Sequence, residues 1–407
     1  MLRGLCIVVV ASVLAACAGS GGEGVNRLVV YVNAPFSGSS YIGETIARGA
    51  ELGAQEVNDR GLNVGGTSYV LEIERFDNRL SPRTAVANVR RAAGDDAGVA
   101  IVDEGTGVDA SWRLAADENL PLCIAYQGGT GLVDPQERPN VFRIAPTDHG
   151  LAYRLAEYLI PKGRKLALLV DDSGYGQQGK EMLEEAFADQ ELVVEWIDLP
   201  TRAADAAPQV LRARRAGAES LLVWAQPPVI AAAITAARSA RWDVPIYTPP
   251  AGADPLVRQE LADNPEWLDG VVFASGRMTA EGGSAQFFGF VRTFETAYGP
   301  QRVGVRTPEG QEVVQPPDYA MYSFDFVRLL AAALERAGTT RGPEVIEALN
   351  NVVIVGANGD ERGFNFNNHE GVIDDDVYFA RFAGMTFAPV QDDLLSRSLP
   401  LVPQTTG

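Results

Sequence analysis

Cysteine and histidine are nearly absent. Three cysteines occur in 407 residues, and two of them, Cys6 and Cys17, lie in an apolar N-terminal stretch, which leaves Cys123 alone in the body of the chain. One thiol can form neither an internal disulfide nor a cysteine metal cluster. Cys123 sits in the run Leu120-Pro121-Leu122-Cys123-Ile124, where a buried and inert thiol is expected. The two histidines, His149 and His369, are far apart, and no H-E-x-x-H spacing, G-x-S-x-G turn or Walker loop occurs. Hydrolytic and phosphoryl-transfer chemistry therefore have no sequence support, and no cofactor is implied. Positive charge is also scarce: 34 Lys and Arg against 53 Asp and Glu give a net charge of −19. An acidic surface argues against nucleic acid and anionic lipid as partners. The run Asp374-Asp375-Asp376 lacks the alternating ligands and the glycine of a calcium loop, so it is expected to be a solvated turn.

What is present begins at the N-terminus. MLRGLCIVVVASVLAAC has one cation at Arg3, a short apolar core and small residues before Cys17, the pattern of a secretory signal and too short for an ordinary membrane span. Its ending, Leu14-Ala15-Ala16-Cys17, resembles the bacterial lipobox, and the resemblance implies cleavage before Cys17 and lipidation of that residue. The Gly/Ser-rich stretch 18–24 that follows suits a tether.

Beyond the tether, apolar strands alternate with helices. Strands are expected at 28–32, 69–76, 99–102 and 122–125, with helices at 42–58, 82–93 and 110–119 between them. A second block repeats the cycle with strands at 166–170, 193–197, 220–224 and 246–248 and helices at 151–159, 179–188, 207–216 and 229–240. Repeated β-then-α with apolar strands implies an α/β protein of two doubly wound parallel-sheet lobes, split near Pro146. Further on, 271–274 reads as strand, 284–298, 318–337 and 343–350 as helices, and 301–317 as a Gly/Pro-rich loop. Phe364, Phe366, Val377, Phe379 and Phe382 around His369-Glu370-Gly371 suggest an antiparallel hairpin turning there.

Doubly wound sheets place function at the loops outside the strands' carboxyl ends. Those loops are 33–41, ending in Tyr41; Asp103-Glu104-Gly105-Thr106-Gly107; Tyr126-Gln127-Gly128-Gly129-Thr130; Asp171-Asp172-Ser173-Gly174-Tyr175-Gly176; and Trp224-Ala225-Gln226-Pro227-Pro228. Each of these residue sets also suits an ordinary solvated turn. Together they place aromatics, hydroxyls, amides and close-approach glycines around one expected cleft.

The order Ser37-Gly38, Arg48-Gly49-Ala50-Glu51-Leu52 and Glu56-Val57-Asn58-Asp59-Arg60-Gly61 resembles the leucine/isoleucine/valine-binding proteins of bacterial ABC importers. Similar stretches follow at Asp77-Asn78, 85–91, Asp172-Ser173-Gly174-Tyr175-Gly176 and 319–338, so the resemblance runs from about Val29 to Phe382. It implies a type I periplasmic-binding-protein fold, with two lobes closing on a small solute for delivery to a membrane permease. The implied chain division is a signal at 1–17, a tether at 18–26, one lobe from 27–145 with about 276–350, a second from 146–275 with about 351–393, and a tail at 394–407. The implied ligand contacts are Tyr41, Glu104, Thr106, Gly107, Tyr126, Gln127, Gly128, Thr130, Tyr175, Trp224 and Gln226.

Two departures from the family matter. Ala251 stands where amino-acid binders tend to carry the glutamate that pairs with the ligand ammonium, and Asp103-Glu104 precede Thr106, where a carboxylate would repel a ligand carboxylate. The expectation is a lipid-anchored solute-binding protein that prefers a neutral or cationic solute to a branched-chain amino acid. A regulator binding a protein partner through the same fold, and an enzyme using Asp/Glu chemistry in the same cleft, are the alternatives.

Overall fold

The computed structural model describes residues 26–37, 40–201, 205–275, 278–279 and 282–393. The signal, the tether with Cys17 and the tail from 394 lie outside the described residues. The first lobe opens with β1 (Asn26–Ala34), α1 (Ser40–Arg60), β2 (Leu62–Val64), β3 (Thr67–Asp77), α2 (Pro82–Ala93), β4 (Gly98–Asp103), α3 (Val108–Asp117), β5 (Leu122–Ile124) and β6 (Val141–Arg143). Its sheet runs β2-β3-β1-β4-β5-β6, parallel except for the β2–β3 hairpin. β1 is buried from Leu28 to Ala34, which is why an unbroken apolar run becomes a central strand. α2 starts where Ser81 Oγ accepts the Thr84 N–H and Pro82 fills the first turn; Ala85, Val89 and Ala92 face the sheet.

The second lobe follows with α4 (Asp148–Leu159), β7 (Leu166–Asp171), α5 (Gly174–Ala186), β8 (Val193–Leu199), α6 (Ala207–Arg215), β9 (Ser220–Trp224), α7 (Pro227–Ser239), β10 (Ile246–Thr248), α8 (Pro255–Glu260) and β11 (Val271–Ser275). The chain then returns through β12 (Met278–Thr279), β13 (Gly282–Gly283), α9 (Ala285–Tyr298), β14 (Arg302–Arg306), β15 (Glu312–Val314), α10 (Asp318–Ala337), α11 (Gly342–Leu349), β16 (Val353–Val355) and β17 (Glu361–Gly363). It ends in β18 (Tyr378–Ala383) and β19 (Thr386–Pro389), antiparallel additions to a second sheet ordered β19-β18-β11-β10-β9-β7-β8.

α10 lies along α1, and the two helices approach closely because Gly49 has no side chain: a Cβ there would overlap the Ala320 carbonyl. Phe287, Phe290 and Phe294 of α9 join the same core. Each sheet is covered on both faces, by α1, α9, α10 and α11 opposite α2 and α3 in the first lobe, and by α6 to α8 opposite α4 and α5 in the second.

Several expectations need correction. Residues 301–317 are not a loop: β14 and β15 form a hairpin whose Val305 and Val313 pack into the second lobe's core, with the glycines at its bends. No hairpin turns at 369–371. The apolar residues there belong to different lobes, Phe364 and Val372 to the first core and Val377, Phe379 and Phe382 to the second lobe's cores; the observed hairpin turns at Gly384. The aspartate turn is not merely solvated, since buried Asp376 accepts Arg362 Nη1 at 2.8 Å and the Ile373 N–H at 3.1 Å. Cys123 is free and buried. Among the described residues, no helix is long and apolar enough to cross a membrane.

Candidate ligand-binding cleft

The β4 loop turns its acids inward. Asp103 is fully buried; its carboxylate accepts Asn33 Nδ2 at 2.7 Å and the Gly105 N–H at 2.7 Å. Burial, reinforced by the charge of Glu104, pushes its pKa up to about 8. Glu104, 1% exposed, accepts Asn78 Nδ2 at 2.9 Å, the Thr106 N–H at 2.8 Å and Gln127 Nε2 at 3.5 Å. The expected repulsive carboxylate is thus a buried brace of its own loop, not a charge presented to the cleft. Burial raises its pKa, although these hydrogen bonds favour the ionised form.

The same brace gathers half-buried Thr106 and Gln127, whose hydroxyl oxygen and amide are 3.3 Å apart. Gly107 starts α3 with φ of 86°, which a side chain would strain. Tyr126 stacks obliquely on Tyr319, with ring centroids 4.6 Å apart. Tyr41 joins three segments: its hydroxyl reaches Asp318 Oδ1 at 3.3 Å and accepts Gln315 Nε2 at 2.5 Å and Gln301 Nε2 at 3.4 Å.

Gly128 and exposed Thr130 line a cavity of about 590 Å³ with Arg143, Thr147, His149 and Glu370, beside the crossings between the lobes. Arg143 is 3% exposed and holds Glu370 bidentately at 2.8 and 2.7 Å, while Nη1 donates to the carbonyls of Gln127 and Gly129. This guanidinium fixes the Tyr126–Thr130 loop. Sequence reading missed it because Glu370 is 227 positions away.

From the second lobe, Tyr175 on α5 faces the first. Its phenol is raised by burial and by the charges of Asp148, Tyr126 and Asp171. Trp224 does not line the cleft as expected: it is 0% exposed, lying beneath Tyr175 with centroids 5.6 Å apart and against Gly179. Gln226 is half-buried at the start of α7, its N–H donating to Asp171 Oδ2 at 2.7 Å. Ala251 lies in the Pro250–Ala253 turn, partly buried against the second core.

Three further acids converge here. The Tyr126 phenol, raised by burial, also senses Asp254, Glu104, Asp318 and Asp148. Burial pushes Asp148 and Asp318 up to about 6 and raises Asp254. Arg258 is the nearby cation; burial lowers it to about 10, and its guanidinium donates to Gln315 Oε1 and to the Met385 carbonyl.

Two doubly wound lobes, with loops from both sheets meeting around tyrosines and carboxylates, define the type I periplasmic-binding-protein fold. Residues 31–385 match the profile of the family described as periplasmic binding protein, and the chain belongs to that family. A Leu/Ile/Val-binding protein homolog from Brucella suis is 24% identical over 354 residues, covering 83% of this chain and 85% of the relative. The substrate-binding protein LivJ of Streptococcus pneumoniae, solved with isoleucine, superposes with a TM-score of 0.74 at 18% identity over 89% of this chain and 98% of its own. A Rhodopseudomonas palustris solute-binding protein holding 3,4-dihydroxybenzoic acid gives 0.70 at 18% identity over 89% and 96%. At such identities the structural likeness concerns the fold.

Proposed function

We propose that this chain is the solute receptor of an ABC importer, anchored by lipid at Cys17, that captures a small neutral or cationic polar molecule between its lobes. The lobes are proposed to meet around the solute through Tyr41, Thr106, Gly107, Tyr126, Gln127, Gly128 and Thr130 on one side and Tyr175 and Gln226 on the other. The observation that carries the reading is that Tyr126 from the first lobe and Tyr175 from the second both sense one acid, Asp148, at the crossing between the lobes. A solute touching both tyrosines favours the closed arrangement by its extra affinity for that state. Carboxylates around Tyr126 disfavour the carboxylate of an amino acid, and Ala251 supplies no acid from the Pro250–Ala253 turn to pair with its ammonium.

The test is a thermal-shift screen of the mature protein against branched-chain amino acids, hydroxybenzoates, amides and amines. At a hundred times its Kd a solute stabilises the folded state by about 2.7 kcal/mol. A clear rise in Tm with a neutral or cationic solute, and little with leucine, is the expected result. Strong stabilisation by leucine alone overturns the charge preference, and no response to any class overturns the receptor reading.

A further inference from the structure

We infer that Asp148, at the start of α4 and packed against Gly128 of the Tyr126–Thr130 loop, is the docking carboxylate for a protonated amine, so that amines are the solute class of this cleft. The inference rests on the solute-receptor reading above and specifies its ligand.

Asp148 is the first residue of α4, directly after the chain crosses between lobes, and is 5% exposed. An acid at a helix start is ordinarily explained by the helix end itself. Here Thr147 caps the helix instead, its Oγ1 accepting the Gly150 N–H at 2.8 Å, and among the described residues no donor reaches the Asp148 carboxylate. The other cleft acids are satisfied: Glu104 by Asn78, Thr106 and Gln127; Asp254 by the Leu256 N–H at 2.8 Å; Asp318 by the Tyr319 N–H at 3.0 Å and the Tyr41 hydroxyl. Arg143 is near enough to favour the charge on Asp148, but its guanidinium is committed to Glu370 and two carbonyls.

A buried carboxylate without a partner is a cost that a bound cation removes. The surroundings suit that cation. The Asp148 charge is sensed by both Tyr126 and Tyr175, and Tyr175 also senses Tyr126, so an aromatic ring from each lobe lies within electrostatic reach of the carboxylate. Gly128 keeps the carboxylate reachable, since a Cβ there would lie 2.6 Å from Asp148 Oδ1. A ligand carboxylate brought to Asp148 would face like charge, with Asp254 and Asp318 also near Tyr126, which separates an amine from an amino acid.

The experiment is calorimetric titration at neutral pH with putrescine, agmatine and phenethylamine, with leucine and 4-hydroxybenzoate as comparators, on the wild type and on Asp148→Asn. At least one amine is expected to bind the wild type and to bind Asp148→Asn about 100-fold more weakly, because a neutral amide then stands in place of the carboxylate. A second measurement needs no variant. The groups facing Asp148 are Arg143 of β6 with its partner Glu370, Tyr126, Tyr175, His149 and, beside Gly150, Asp374. Because burial holds Asp148 near 6, amine affinity in the wild type should fall about tenfold per pH unit below that value. Absence of amine binding, equal binding by Asp148→Asn, or affinity unchanged between pH 7.5 and 5 overturns the inference. Tight leucine or hydroxybenzoate binding that ignores Asp148→Asn overturns it too, yet leaves solute capture standing; if nothing binds, both fall. If the variant does not fold, the wild-type pH series decides.

Discussion

Asp103 and Glu104 show how one neighbour decides what a carboxylate does. Both lie beside Thr106 in sequence, yet both point into the protein and hold their own loop. Asp103 carries a testable consequence. Its pKa rises on folding from 3.8 to about 8, so its favourable contribution is complete below pH 4 and is lost as pH rises through 8. In Asp103→Asn that loss is absent. Denaturant melts of variant and wild type should therefore diverge between pH 4 and 8, the variant gaining by up to about 1.4 kcal/mol per pH unit. Parallel curves would show that Asp103 is not charged at a cost. The residue scale is also where the sequence was least readable. Trp224 ends strand β9 and is expected from sequence in the cleft wall, but it is buried beneath Tyr175 against Gly179, whose lack of a side chain admits the indole.

At the scale of elements, the parallel strands and their helices were legible because burial on both faces demands continuous apolar runs, as in β1, β4 and β7. The hairpin β14–β15 was not, because its glycines, at φ of 76° and 85°, carry the composition of a loop while Val305 and Val313 do the packing. Asp148, Asp254 and Asp318 escaped for a different reason: each is ordinary locally, and only the crossings bring them around Tyr126. The Tyr126–Thr130 loop owes its position to Arg143 and Glu370. Glu370→Ala leaves the 3%-exposed Arg143 without its carboxylate. Glu370 is itself 22% exposed, so the expected cost is about 3 kcal/mol, at the low end for a buried pair, accompanied by weaker solute binding. Chemical denaturation paired with titration checks it; an unchanged midpoint would mean that the two backbone carbonyls suffice to hold the guanidinium.

The whole molecule carries 53 acidic side chains against 34 basic ones, so it has no net electrostatic attraction to an anionic bilayer, and the proposed membrane attachment depends on Cys17. Two or more acyl chains hold firmly where one does not. Cys17→Ser should thus move the protein from the membrane to the soluble fraction in a bacterial host that processes lipoproteins, and intact-mass measurement should find no lipid. A wild-type protein whose mature N-terminus is unmodified at another residue would remove the anchor from the account.

The β14–β15 hairpin gives the pair of lobes a mechanical stop. Its strands are packed into one lobe, while the helices on either side of it, α9 and α10, belong to the other. Its ends, Gln301 and Gln315, are both fastened to Tyr41, and Gln315 is fastened to Arg258 as well. A wide swing therefore has to release the two glutamines from Tyr41 or peel Val305 and Val313 from their core. The jaws are strapped at the mouth as well as hinged at the back, so their travel has a limit built into the chain.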